Sequence, residues 1–218
     1  MFIINCKNYN EIAGEKIIML GKTAEKISKK YKIPIAIAPP HHLIPLIIKF
    51  KIIILAQHLD DKKIGSTTGF MVPDIAKKSK INGSIINHSE HRITEKEIKN
   101  LLRRMKKLKL KSILCVKNIN EVKKYAKLNP TYIAIEPPEL IGTGRAISTE
   151  KPQLITKAVD AVRSAKNSTK LLCGAGIISG NDVKRAKELG SKGILVASGI
   201  IKAKNWEKII SEFSRALI

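Results

Sequence analysis

The chain has 218 residues, 44% of them hydrophobic and 4% aromatic, and its 41 Lys+Arg against 18 Asp+Glu leave a formal charge of +23. That apolar fraction excludes a disordered or fibrous chain, and the length suits one large domain or two small ones with an ample core. No apolar run reaches the roughly 20 residues of a membrane span, Met1-Phe2-Ile3-Ile4-Asn5 does not read as a signal peptide, and the scattered Cys6, Cys115 and Cys173 offer no disulfide or zinc spacing. A reduced, cytoplasmic location is expected.

In chain order, short β-rich apolar runs alternate with segments of helical period. Strands are predicted over residues 2–6, 33–38, 52–57, 83–87, 112–116, 131–136, 169–173 and 193–196. Their continuous apolar character fits strands covered on both faces. After the first comes a stripe of Ala13, Ile17, Leu20, Ala24 and Ile27. Short helices follow over 41–48 and 73–80, then a stripe of Ile98, Leu101, Met105 and Leu108. Helices over 119–127 and 179–189 bracket a stripe of Leu154, Ala158, Ala161 and Ala165, and Trp206, Ile209, Phe213 and Leu217 mark the last helix.

Eight strands, each followed by a helix, predict an α/β fold, a closed (β/α)8 barrel occupying residues 1–218 as one domain. An open doubly wound sheet is the alternative, since periodicity does not show closure. The count of eight and the terminal helix favour the barrel.

Excess residues collect after strand 3, at 65–73, and after strand 6, at 137–150. Both follow a strand and precede a helix, so both lie at the face where such barrels place their chemistry. Strand ends there carry Asn5-Cys6-Lys7, Gln57-His58, Asn87-His88-Ser89-Glu90-His91 and Glu136-Pro137-Pro138. Two further ends are Cys173-Gly174-Ala175-Gly176 and Ala197-Ser198-Gly199. A cation, an imidazole and a carboxylate thus stand at neighbouring mouths beside Gly-rich turns suited to phosphate. Glu136, at the end of an apolar strand, should have a raised pKa, as a base removing a carbon-bound proton requires.

Plainer readings compete. Lys7 is one of 34 lysines, and Glu136 is free to pair with a structural cation. His88 and His91 have a metal-pair spacing, yet no third or fourth ligand completes a recognisable set, so no metal or cofactor is expected. His41-His42 reads as a helix start. The charge is 34 Lys with 7 Arg, spread along an Ile-rich chain rather than gathered. Base readers favour Arg and aromatics, so neither a specific nucleic acid nor a membrane is the expected partner.

Taken together, Asn5-Cys6-Lys7, Ala56-Gln57-His58, residues 87–92, residues 135–144, residues 173–177 and Leu195-Val196-Ala197-Ser198-Gly199 resemble triosephosphate isomerases in their short archaeal-type form. The run Glu136-Pro137-Pro138-Glu139-Leu140-Ile141-Gly142-Thr143-Gly144 is the most specific of these, and all stand in the family's order. The resemblance implies a cofactor-free isomerase of glycolysis and gluconeogenesis that interconverts dihydroxyacetone phosphate and D-glyceraldehyde 3-phosphate through an enediol(ate).

It implies Glu136 as general base, His88 as neutral electrophile and Lys7 as the cation over the developing charge. Asn5 would hold a substrate oxygen, Glu90 would pair with Lys7, and Ser89 would hold Glu136 while the site is open. Residues 137–146 would form a closing lid, with phosphate held by N–H groups at Ile141, Gly142, Gly176, Ala197 and Ser198. The sequence departs from the commoner family pattern at His58, His91, Gly176 and Ala197-Ser198. A related phosphosugar isomerase or lyase is the alternative within the fold. Phe70-Met71-Val72 reads as an apolar finger that enters a partner subunit near Lys7, and the resemblance implies at least a homodimer, with a homotetramer in the archaeal-type form. The competing reading folds the finger onto its own barrel.

Overall fold

Every strand alternates between two apolar destinations. In the computed structural model, which describes residues 1–218, Ile3, Leu55, Ile85, Ile113, Leu172 and Leu195 join Ala36, Ala38 and Ala134 in one cluster. Their neighbours Phe2, Ile4, Ile37, Ile54, Ile133 and Ile135 belong instead to a second, 48-residue cluster that takes in the helices. A strand with both faces covered needs apolar residues at successive positions. That is why the strands read as unbroken runs rather than as alternating ones.

The strands are β1 (Phe2–Asn5), β2 (Ile35–Ala38), β3 (Ile53–Ala56), β4 (Gly83–Ile86), β5 (Lys111–Val116), β6 (Tyr132–Ile135), β7 (Lys170–Cys173) and β8 (Ile194–Val196). Each pairs in parallel with its sequence neighbours, and β8 returns to β1 with Phe2 opposite Ile194, closing the barrel. All eight predicted strands are present, with ends trimmed by a residue or two, apart from β5, which gains Lys111.

The helices are α1 (Lys16–Tyr31), α2 (Ile44–Ile47), α3 (Pro73–Lys78), α4 (Glu95–Lys107), α5 (Ile119–Ala126), α6 (Ile147–Glu150), α7 (Pro152–Ser164), α8 (Gly180–Glu188), α9 (Ser198–Ile201) and α10 (Trp206–Ala216). Side-chain caps start several of them. Thr94 with Glu97 and Ser179 with Asp182 form reciprocal capping boxes, and Asn118 caps α5. No helix is long and apolar enough to cross a membrane.

Several expectations are corrected. Ala13 is exposed and precedes α1. In α7 the buried stripe is Ile155, Ala158 and Val162, turned by one residue from the predicted Leu154, Ala158, Ala161 and Ala165. Both stripes have helical period, and the helix presents the one that carries the larger β-branched groups. In α10, Ile210 joins Phe213 in the core, while Trp206 is half-buried with its Nε1–H donating to Ile201 O at 3.2 Å. Residues 41–48 divide into a 3-10 turn at His41–Leu43 and α2, and 147–150 form α6 rather than loop.

Strand parity carries straight into the site. The residue two beyond each last inward side chain also faces the axis. Asn5 follows Ile3 in this way, Gln57 follows Leu55, Asn87 follows Ile85, Glu136 follows Ala134, and Gly174 follows Leu172. The barrel therefore delivers polar groups to its own mouth.

Candidate active site

Lys7, at the end of β1, sits in a left-handed backbone conformation with φ 45°. Side chains hold that turn: Asn5 Oδ1 accepts the Lys7 N–H at 3.1 Å, and Gln57 Nε2 donates to Lys7 O at 2.9 Å and to Ala38 O at 3.1 Å. The ammonium reaches Glu90 Oε1 at 2.7 Å. At the end of β4, Asn87 (φ 58°) donates from Nδ2 to Cys115 O at 2.9 Å and accepts the Ile93 N–H at 3.2 Å. Arg92 adds a bond to Asn87 O at 2.8 Å. This fixed turn presents His88.

The His88 ring has one defined tautomer. Its Nδ1 accepts the backbone N–H of Glu90 at 3.2 Å, which leaves the proton on Nε2, 3.7 Å from Glu136 Oε1. Burial first, and then the Lys7 charge, lower the His88 pKa to about 4, so the imidazole is neutral at neutral pH.

Glu136 is 1% exposed, and its Oε2 has no hydrogen-bond partner. Burial pushes its pKa up to about 7, while Cys115, Arg92 and Lys7 pull the other way. An unsatisfied carboxylate oxygen at the bottom of a cleft is costly unless something else engages it. Room for the side chain comes from Gly174: a Cβ there would lie 2.6 Å from Glu136 Cγ.

Lys7, His88 and Glu136 line one cleft of ≈ 50 Å³ together with Ile141, Gly142, Gly176, Ala197 and Ser198. The acid–base trio and the proposed anion contacts thus share a single space. Asn5 and Glu90 line an adjoining cavity of ≈ 700 Å³. Gly176 has φ 69°, and a Cβ on it would meet Arg145 O at 1.8 Å. The far end of the 137–146 segment therefore rests directly on the β7 turn. Gly142 and Gly144 have φ 73° and 72° and Leu140 is buried, so the segment is pinned in its middle with glycine turns after the pin.

Ser89 Oγ has no hydrogen-bond partner and the Glu136 carboxylate lies beside His88; the expected Ser89–Glu136 contact belongs to the open site. The finger divides: Val72 is buried against its own barrel and the Met71 N–H donates to Asp60 Oδ2 at 2.7 Å, leaving only Phe70 outward at 46% exposure. As for the metal pair, His88 Nδ1 is occupied by the Glu90 N–H, while the His91 ring stacks on His58. Gln57, Asn87, Arg92, Cys115 and Gly174 were given no individual role by sequence reasoning. Strand parity would have singled out Gln57, Asn87 and Gly174.

Comparison with known proteins agrees with this geometry. Residues 1–213 match the family model described as triosephosphate isomerase. A triosephosphate isomerase of Cenarchaeum symbiosum is 49% identical over 217 residues, covering 100% of this chain and 97% of the relative. That of Saccharolobus solfataricus is 44% identical, covering 98% and 94%, and that of Methanocaldococcus jannaschii is 42% identical, covering 97% of each. With a closed eight-stranded barrel, an acid–base trio in one cleft and a match along nearly its whole length, the chain belongs to the triosephosphate isomerase family.

Proposed function

We propose that Glu136, His88 and Lys7 perform the reaction that family membership assigns to the chain, the interconversion of dihydroxyacetone phosphate and D-glyceraldehyde 3-phosphate. The observation that carries this reading is the Glu136 carboxylate, buried, unpartnered at Oε2 and raised to about 7, beside an imidazole with its proton on the facing nitrogen. A carboxyl with that pKa is ionised in substantial part at neutral pH and more basic than an ordinary carboxylate, which suits it to take a proton from carbon.

In this reading Glu136 removes the proton from C1 and returns it at C2. The negative charge that develops on the carbonyl oxygen meets the His88 Nε2–H and the Lys7 ammonium. Both are fixed beforehand by Glu90, so no reorganisation is needed as charge appears. A neutral imidazole donor passes its proton between the two oxygens without stranding a full charge. Asn5 steadies a substrate oxygen and the Lys7 turn together.

Backbone N–H groups at Ile141, Gly142, Gly176, Ala197 and Ser198 take the phosphate, and residues 137–146 shut over it. Closure excludes water, because an exposed enediol phosphate readily expels its phosphate. All of this chemistry belongs to side chains and amides of residues 1–218 acting as one barrel domain in the cytoplasm, with no cofactor.

Self-association completes the reading. Phe70, beneath the Lys62 ammonium at 4.7 Å, is the exposed part of the strand-3 loop, and with Met71 it forms one wall of the ≈ 700 Å³ cavity that Lys7 also lines. A second copy's Phe70 entering it gives a homodimer, with a homotetramer as its further assembly.

The test is a coupled assay without added metal. Glu136→Asp should keep the fold by circular dichroism and lose about 10²-fold or more in kcat, because a base withdrawn by one methylene misses the carbon acid. Full turnover in that variant would remove Glu136 from the mechanism.

A further inference from the structure

The imidazoles that the chemistry leaves unused gather on the other side of Lys7. The His58 and His91 rings stack with centroids 4.0 Å apart and planes 16° from parallel. His41 Nε2 accepts the backbone N–H of His58 at 3.3 Å, and Asp60 Oδ1 lies 3.4 Å from His58 Nε2. All four residues line the ≈ 700 Å³ cavity that Lys7 also lines.

The attachments of the stack are informative. Gln57, next to His58 in the chain, donates to the Lys7 carbonyl at 2.9 Å. Glu90, next to His91, takes the Lys7 ammonium at 2.7 Å. The stacked rings therefore join the two tethers of a single lysine, one on its backbone and one on its charge. That lysine is held at φ 45°, a conformation that persists in a non-glycine residue only when its surroundings impose it.

We propose that His41, His58 and His91 are positioning residues for Lys7, holding its turn while uncharged and releasing it when protonated. The proposal rests on the role given to Lys7 above. Protonation attacks the arrangement at two points. His41 Nε2 is an acceptor, and a proton there turns the bond to the His58 N–H into a clash of donors. Two parallel imidazoles at 4.0 Å tolerate one charge far better than two.

The charged and titratable groups facing the cluster come from several elements. Asp60 belongs to the strand-3 loop, Glu97 to α4 and His42 to the turn of His41, while Lys7 and Glu90 share the cavity. The carboxylates favour protonation. Burial and the neighbouring imidazoles oppose it more strongly, so His41 and His58 lie below the ordinary histidine value. Groups that resist protonation in the folded site bind fewer protons there than in the open chain. The latch is thus whole above about pH 6.5 and weakens as pH falls through the lowered values.

The experiment measures kcat and KM from pH 5 to 9 on the assembled enzyme and its His91→Phe, His41→Gln and His91→Ala variants. In the unaltered protein log kcat should fall below pH 6 more steeply than one proton allows. His91→Phe keeps a flat ring in the stack without a titrating nitrogen, and His41→Gln keeps an acceptor. Each should hold pH 8 turnover within about twofold and lose the steep component. His91→Ala, which deletes the stack, should lower kcat at pH 8 by about fivefold to tenfold with KM little changed, since Lys7 acts on charge that exists near the transition state.

Imidazole NMR titration supplies a readout apart from turnover: the His58 curve should move when His91→Phe removes the nitrogens facing it. Acid limbs unchanged in His91→Phe and His41→Gln, or a His58 curve that His91→Phe leaves in place, overturn the latch. Full turnover in Lys7→Met overturns the role of Lys7 instead, so the two failures are distinguishable.

Discussion

The two halves of the barrel mouth are built from different materials. Around β1, β3, β4 and β6 the site is made of side chains tied to one another: Asn5 and Gln57 to Lys7, Lys7 to Glu90, Asn87 to the 87–93 turn. Around β7, β8 and the 137–146 segment it is made of glycine and backbone, with Gly174, Gly176 and Gly199 at the turns. In the proposed reaction the contrast matches two tasks. Proton transfer needs groups of defined basicity at fixed separation, which only side chains provide. An anion needs several N–H groups converging at short range, which requires positions where a Cβ would be in the way.

Four experiments probe that contrast. The largest expected effect is on the glycine half. Gly176→Val puts a Cβ where Arg145 O stands, at 1.8 Å, and gives φ 69° to a β-branched residue. The lid should fail to seat, with kcat/KM falling about 10²-fold, while the imidazole titration of His88 stays as it was. A disturbed His88 curve would mean that the halves are not separable.

On the side-chain half, the buried charge of Glu136 should cost stability. Its folded pKa is raised from 4.5 to about 7, so the native state holds that proton more tightly than the unfolded chain does. Stability from the protonated form is complete below pH 4.5 and is lost as pH rises through 7. Glu136→Gln should therefore be more stable than the parent by about 2–3 kcal/mol at pH 8 and equal to it near pH 4 in urea unfolding. Equal stability at both values would show that burial does not tax this carboxylate.

Next in size is the pH profile. With Glu136 the essential base, kcat/KM should rise with pH as a single deprotonation between about pH 6 and 7 and flatten above about 7, and the Gly176→Val variant should bend at the same place. The smallest effect concerns assembly. Phe70→Glu should weaken self-association about tenfold or more in light-scattering dilution series; an unchanged mass would leave Phe70 outside the interface.

The chain order of strands and the site's position were legible because both depend on coarse features: unbroken apolar runs, and long loops after strands 3 and 6. That Lys7, His88 and Glu136 would meet at one mouth was legible from their places at strand ends, and they do line one cleft; the roles given to them came from the resemblance. What stayed hidden depends on geometry that one sequence does not encode by type. The rotation of α7 was not decidable, since Leu154-Ala158-Ala161 and Ile155-Ala158-Val162 are equally periodic and only packing selects between them. Cys115 carries no motif in the sequence, yet it stands beside Glu136 because β5 and β6 are in register, with Cys115 opposite Ala134. The stacking of His58 on His91 joins residues from the loops after β3 and β4 and has no local signature at all.

The seam between β1 and β8 has a consequence for how the protein comes into being. Ile194 N–H donates to Met1 O at 3.1 Å, and Phe2 faces Ile194 across the closing ladder. The first stave to leave the ribosome thus waits for nearly the last before its second edge is covered. Until then the nascent chain carries an open strand beside the lysine turn, and any transcript cut short of the eighth strand yields an unsealed, adhesive sheet rather than a slower catalyst.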